Sequence, residues 1–189
     1  MNLRRLQQFC ADGHLDLFYS DESTFSMNPC LPYGWQAKGE TIGIIPQGNR
    51  KINVFGIFSS GNFCFTKFSD RNINADLIVS AIEEFAQKLP SNKPSVLVLD
   101  NASMHHSLLF REKLVNWQAK GLFVFYLPKY SPHLNLAETF WRKAKYEWLK
   151  PADYFSFETY KDKLTEIFTN IGTKYRISFK EQKCQPISA

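Results

Sequence analysis

Residues 95–100 read Ser95-Val96-Leu97-Val98-Leu99-Asp100, an unbroken run of Val and Leu that ends on an acid. A strand covered on one face alternates apolar and polar residues. A run this short and continuous predicts a strand buried on both faces. Upstream, Ala75, Ile78, Val79, Ile82, Phe85, Ala86 and Leu89 form one apolar stripe at helical spacing, ended by Leu89-Pro90. Downstream, residues 107–119 read as a helix ended by Lys120-Gly121, and residues 122–127 (LFVFYL) as a second buried strand. Strands separated by helices in this way predict parallel pairing.

Further out, residues 15–20 (LDLFYS) predict a strand leading into Asp21, after a short helix over 2–11 that Asp12-Gly13 ends. Residues 52–58 and 62–67 predict two strands of a hairpin turning at Ser59-Ser60-Gly61, and so antiparallel pairing. Residues 29–51 are dense in Pro and Gly and read as loops and hairpins, with a short strand at TIGII. Helices over 135–149 and 157–170 complete the pattern. The expected fold is α/β, a mixed sheet with helices on its faces, forming one domain over 1–189.

Composition sets the outer bounds. The 189 residues are 44% hydrophobic and 22% charged, as in globular proteins rather than disordered ones. Lys and Arg exceed Asp and Glu by five, and that basic excess suits a polyanionic partner. Cys10, Cys30, Cys64 and Cys184 show no CxxC spacing, so neither a zinc site nor a disulfide framework is expected. No apolar run approaches membrane-spanning length and no signal peptide is visible, so the expectation is a soluble, cytoplasmic chain.

Three acids stand at the ends of these elements. Asp21 is expected just past the first strand and Asp100 just past SVLVL, at the sheet's rim, where α/β proteins place ligands. Each also fits a turn-former or helix cap. Glu138 lies early in the helix from 135. There Asn135-x-x-Glu138 fits a capping box, and Glu138 with Arg142 an i,i+4 pair. Taken together, three converging carboxylates suit two divalent ions, which stabilise the attacking and leaving oxygens of a phosphodiester. Carboxylate oxygens are what Mg²⁺ favours.

The residues around these acids resemble a known family. Phe18-Tyr19-Ser20-Asp21-Glu22-Ser23, then Pro32-Tyr33-Gly34-Trp35 and Lys38-Gly39-Glu40, form a first block. Val98-Leu99-Asp100-Asn101-Ala102 with His105 form a second. Leu127-Pro128-Lys129-Tyr130-Ser131-Pro132-His133-Leu134-Asn135-Leu136-Ala137-Glu138, with Trp141 and Lys145, form a third. The chain is similar to the bacterial insertion-sequence branch of the Tc/mariner superfamily of DDE transposases. That resemblance implies a ribonuclease-H-like fold and two Mg²⁺ or Mn²⁺ ions. It also implies cleavage of DNA at transposon ends, then transfer of a 3′-OH into target DNA. It makes Asp21, Asp100 and Glu138, the last two 38 positions apart, the catalytic and metal-holding residues. Members often carry an acid where His133 stands and Pro where Leu136 stands.

Other roles follow from this resemblance, each beside a plainer one. His105 orients a metal-bound water or a DNA phosphate near Asp100, or is a polar residue opening a helix. Arg142 and Lys145 hold DNA phosphates, or form surface ion pairs. Lys38, Arg50 and Lys51 are candidate DNA-backbone contacts. Trp141 is expected in the core and Trp35 packed under its hairpin. Family members carry helix-turn-helix modules ahead of the catalytic domain, and here the first strand begins near residue 15. The expectation is therefore a chain without its own end-reading module: a fragment, a split-gene product or a decayed remnant. A homodimer and a separate N-terminal DNA-binding polypeptide are partners open to it. A stand-alone nuclease of the same fold and an inert DNA-binding derivative are the alternative functions.

Overall fold

Val96, Leu97, Val98 and Leu99 are buried on both faces of a five-stranded sheet in the computed structural model, which describes residues 2–28, 37–39, 49–90 and 92–179. The side chains of Ser103 and His106 also lie outside the described set. In chain order the elements are α1 (Leu3–Ala11), β1 (Asp16–Ser26), β2 (Lys51–Phe58), β3 (Cys64–Ser69), α2 (Ala75–Gln87), β4 (Ser95–Leu99), α3 (Leu108–Ala119), β5 (Leu122–Tyr126), α4 (Ala137–Lys143) and α5 (Phe157–Thr169). The strand order is β3-β2-β1-β4-β5. β2 pairs antiparallel with both β1 and β3, and β4 pairs parallel with both β1 and β5. The expected mixed sheet is therefore present, with the hairpin half and the crossover half joined at β1. The short strand expected at TIGII and the packing expected of Trp35 fall outside the described residues.

Alternation along each strand sorts the core into two sides. Val96 and Val98 of β4 meet Leu17 and Tyr19 of β1 and Leu3 and Leu6 of α1. Leu97 and Leu99 point the other way, with Phe55 and Ile57 of β2, into the stripe of α2 and against Phe110 and Trp117 of α3. On the α1 side, Phe25, Ile52, Val54 and Phe58 pack against Phe140 and Trp141 of α4 and Leu164, Ile167 and Phe168 of α5. Helices on both faces explain why β4 reads as a continuous apolar run. Asn2, Asn74, Ser107 and Ser156 each cap a helix start with a side-chain oxygen.

Two boundaries differ from expectation, and both bear on function. β1 does not stop before Asp21 but runs on to Ser26. The helix expected over 135–149 begins at Ala137, and its last turn widens over Ala144–Trp148, where the Leu149 N–H reaches back to the Ala144 carbonyl at 3.1 Å. Lys150 is extended ahead of Pro151, which ends the helix.

Phe58 joins the sheet to the helices on this side. It is fully buried, stacked on Phe140 at 4.5 Å and edge-on to Trp141 at 4.8 Å between centroids. Phe58→Ala is expected to destabilise the protein by about 3–5 kcal/mol. The check is urea unfolding, where the midpoint should fall at an unchanged slope.

Candidate active site

The sheet forks beside Asp21. β1 pairs with β4 from Asp16 to Tyr19 but with β2 from Tyr19 to Ser26. Beyond Tyr19 it keeps β2 on one side and loses β4 on the other. The register that sets Tyr19 beside Val98 runs two residues on to Asp21 and Asp100. Both acids thus stand where parallel strands part, although Asp21 lies within its strand rather than past its end. The stretch Asp21-Glu22-Ser23, which fits a polar turn in sequence, is extended because β2 still pairs with it.

Opposite Asp21 on β2 is Gly56. A Cβ there would lie 2.7 Å from Trp141 Cη2 and 2.4 Å from the Phe58 ring. Glycine therefore lets the Trp141 ring lie close against the strand. In that position Trp141 Nε1 donates a hydrogen bond to Asp21 Oδ2 at 3.1 Å. Trp141 is core, as expected, and also holds an acid in place.

Asn135 brings in the third acid. It is buried, and its Nδ2 donates to the Ser20 carbonyl at 2.9 Å while its Oδ1 accepts the Ala137 N–H at 3.1 Å. The side chain thus caps the start of α4 and clasps it to β1, one residue from Asp21. The capping box that sequence allows does not form, because the Asn135 N–H goes to the Pro132 carbonyl. Among the described residues, no donor hydrogen-bonds the Glu138 carboxylate and no ion pair joins it to Arg142. Glu138 is exposed, in a cleft of about 440 Å³ that Asp21, Asp100, Asn101, Lys129, Tyr130 and Asn135 also line.

The two strand acids meet opposite environments. Burial, then the charges of Glu22 and Glu138, push the Asp21 carboxyl up to about 7 despite the Trp141 bond. Asp100 is held below the usual carboxylate range by its hydrogen bond from His105, helped by the Ala102 N–H. Burial alone would lower His105. Its bond to Asp100 and the Glu22 carboxylate nearby outweigh that and lift it to about 9.

Three carboxyls around one cleft supply hard oxygen donors of the kind Mg²⁺ or Mn²⁺ takes. Their mutual repulsion, felt at Asp21, is what a divalent cation relieves, so the residues fit such an ion. As they stand, no three acidic, His or Cys side chains among the described residues close into a cluster around one point.

The other expected site residues are scattered. His105 is 1% exposed and turned toward Asp100, so burial keeps it from a DNA phosphate or an open water position. Arg142 is exposed one turn after Glu138. Lys145 is half-buried, its Nζ 5.2 Å over the Phe25 ring. Arg50 lies 5.4 Å over the Phe157 ring, and Lys51 hydrogen-bonds Asn72 at 3.3 Å; both sit at the far end of β2 from the fork. Lys38 is exposed in a turn and is not among the described residues lining the cleft. Gly56 stands outside the family blocks, and Glu22, Lys129 and Tyr130 stand within them with no role of their own. Lys129 is the basic residue in the described cleft lining, and Tyr130 stands 97% exposed on its rim with φ +59°. A left-handed tyrosine is strained, and such strain gathers at functional rims. The third family block includes Tyr130, but nothing in the sequence marks its left-handed backbone.

The fold is shared with solved proteins. The chain superposes on the solved catalytic domain of Mos1 mariner transposase with TM-score 0.53 at 16% identity, covering 89% of this chain and 83% of that one. It matches the Mos1 mariner paired-end complex with Mn with TM-score 0.60 at 16% identity, over 89% of this chain and 56% of that one. A mixed five-stranded sheet with flanking helices of this kind is the ribonuclease-H-like fold. Residues 16–161 match the DDE superfamily endonuclease family, and the chain belongs to it. It is also 26% identical over 136 residues to the Insertion element IS630 uncharacterized 39 kDa protein of Shigella sonnei, covering 70% of this chain and 38% of that protein. No helix among the described residues is long and apolar enough to cross a membrane.

Gly56 offers a test of how the site is assembled. Gly56→Ala is expected to push Trp141 off the strand and destabilise the fold by about 1–3 kcal/mol, the usual effect of overpacking. Trp141 emission, isolated in a background lacking the other tryptophans, should shift to the red as its bond to Asp21 breaks. Unchanged emission and stability would mean that the ring does not lie where the structure has it.

Proposed function

We propose that this chain is the catalytic domain of a DNA transposase, cutting DNA at the ends of an insertion sequence and joining the 3′-OH to target DNA. One observation carries the reading: Asp21, Asp100 and Glu138, from two strands and a helix distant in sequence, line one cleft at the fork of the sheet. The kinship with an insertion-element protein of Shigella sonnei and the fold shared with a paired-end complex of Mos1 support DNA as substrate.

In this reading the three acids hold two divalent ions, Mg²⁺ or Mn²⁺, which supply positive charge to the attacking and leaving oxygens of the phosphodiester. The remaining work is the chain's own. Trp141 fixes one oxygen of Asp21, and Asn135 sets Glu138 against β1. His105 hydrogen-bonds the Asp100 carboxylate and holds it below the usual carboxylate range. Lys129 and Arg142, exposed at and near the cleft, take DNA phosphates and so align the strand without reading its sequence.

A strand-transfer assay on a pre-cut end, with Mg²⁺ or Mn²⁺ and an EDTA control, tests the reading. Joined product is expected. Hydrolysis without joining would make the chain a nuclease, and metal-independent DNA binding with no cleavage would make it an inert derivative. Asp21→Ala, Asp100→Asn and Glu138→Gln are each expected to lower strand cleavage by at least roughly 10²-fold, the scale of losing one preorganised electrostatic element. Metal-free DNA binding should persist, because these substitutions remove no cation.

A divalent ion that binds the folded state also stabilises it. The melting temperature should rise in millimolar Mg²⁺ or Mn²⁺, and rise less in Asp100→Asn. Equal shifts in both proteins would place the ions elsewhere.

A further inference from the structure

His105 lies in a single turn after β4, its ring buried against Phe110. Its Nδ1 is 3.0 Å from Asp100 Oδ1 and 3.2 Å from the Asp100 backbone oxygen. A carbonyl oxygen only accepts, so Nδ1 carries the hydrogen. That fixes Nε2 as the end of the ring facing away from Asp100. It points at Glu22 Oε1, 3.6 Å away, and both atoms are buried with no hydrogen-bond partner of their own. Two such atoms turned toward each other at this separation are costly unless they are used together.

Glu22 follows Asp21 on β1, and successive strand residues face opposite sides of the sheet. Asp21 turns to Trp141, whereas Glu22 turns to His105. The line Glu22–His105–Asp100 therefore runs from β1 to β4 behind the cleft. At its end both donors converge on one oxygen, because the Ala102 N–H also reaches Asp100 Oδ1, at 3.0 Å. Among the described residues no donor is directed at Oδ2, and the Asp100 side chain is 48% exposed.

We propose that Glu22 and His105 are positioning residues, which pin Asp100 Oδ1 from behind so that Oδ2 faces the cleft as a ligand for a divalent ion. This rests on the active-site reading above and extends it. His105 locks the carboxylate directly, and Glu22 locks the tilt of the His105 ring. Imidazole–carboxylate pairs behind a metal ligand commonly set affinity by about 10- to 100-fold.

The test uses the full chain with ¹⁵N-labelled histidine. Long-range imidazole NMR reports the His105 tautomer, and free-Mn²⁺ EPR reports ion binding. In the wild type the hydrogen is expected on Nδ1. Glu22→Gln, whose side-chain amide can pair with Nε2 as donor or acceptor and preserves the fold, should shift the Nδ1–H resonance and weaken Mn²⁺ binding about tenfold. His105→Ala should weaken binding at least as much. His105→Asn, which retains a donor for Asp100 Oδ1, should recover part of the loss. A merely structural role predicts altered melting without that rescue. Wild-type Mn²⁺ affinity in both Glu22→Gln and His105→Ala would overturn the proposal, as would a hydrogen found only on Nε2. If the wild type bound no Mn²⁺ at all, the reading of the cleft as a metal site would fail instead. The resonance in Glu22→Gln would then decide the positioning role, with a shift upholding it and no shift refuting it.

Discussion

The structure depends on where β1 and β4 stop pairing. Their parallel ladder covers only Asp16–Tyr19 against Ser95–Val98, while β2 follows β1 to Ser26. A sheet that forks has an open edge inside it, and backbone leaving a ladder makes a depression where side chains of both strands meet. Buried apolar residues on both faces hold the paired part rigid. The polar ends beyond it are then presented at a fixed separation.

Bringing a helix to that fork takes polar bonds inside the protein. Asn135 is the clasp, spanning 115 positions of sequence to reach the Ser20 carbonyl. A satisfied bond of this kind contributes about 1 kcal/mol, but a buried carbonyl left without its partner costs about 1–3 kcal/mol. The clasp thus acts mainly by making other placements of α4 unfavourable. Trp141 adds a second tie from the same helix, and it can do so only because Gly56 has no side chain. Strand, glycine, indole and acid form one packed unit in which none can move alone.

Within this frame like residues acquire unlike properties. Asp21 and Asp100 stand in matching register where two parallel strands part, yet burial and two acidic neighbours push one up, while His105 holds the other down. Glu138, on the exposed start of a helix, completes the set. Three acids thus face one cleft from three different surroundings.

The sheet's class was legible because β4 and α2 carry their burial in plain periodicity. SVLVL is apolar throughout because both its faces are covered, and the stripe from Ala75 to Leu89 repeats at helical spacing. Asp100 could be placed for the same reason, since a buried strand ends where polarity begins. Asp21 could not be placed as well. The part of β1 beyond it is only half covered, so DESTFS looks like a turn although β2 holds it extended. Asn135 fits a capping box with Glu138 in sequence, but its backbone N–H goes to the Pro132 carbonyl and its side-chain amide to Ser20 on β1, a partner that sequence does not display. His105 fits in sequence either a group near Asp100 or a polar residue opening a helix, and Glu22 fits a turn residue. Which face each presents follows from the twist and pairing of strands far apart in the chain. Sequence by itself determined the elements, the acids and the family pattern, because these rest on local periodicity and residue chemistry. Tertiary structure alone decided which oxygen of Asp100 is held, which ring covers Gly56 and where the fork opens. Those outcomes depend on contacts between residues that become neighbours only after the sheet has formed.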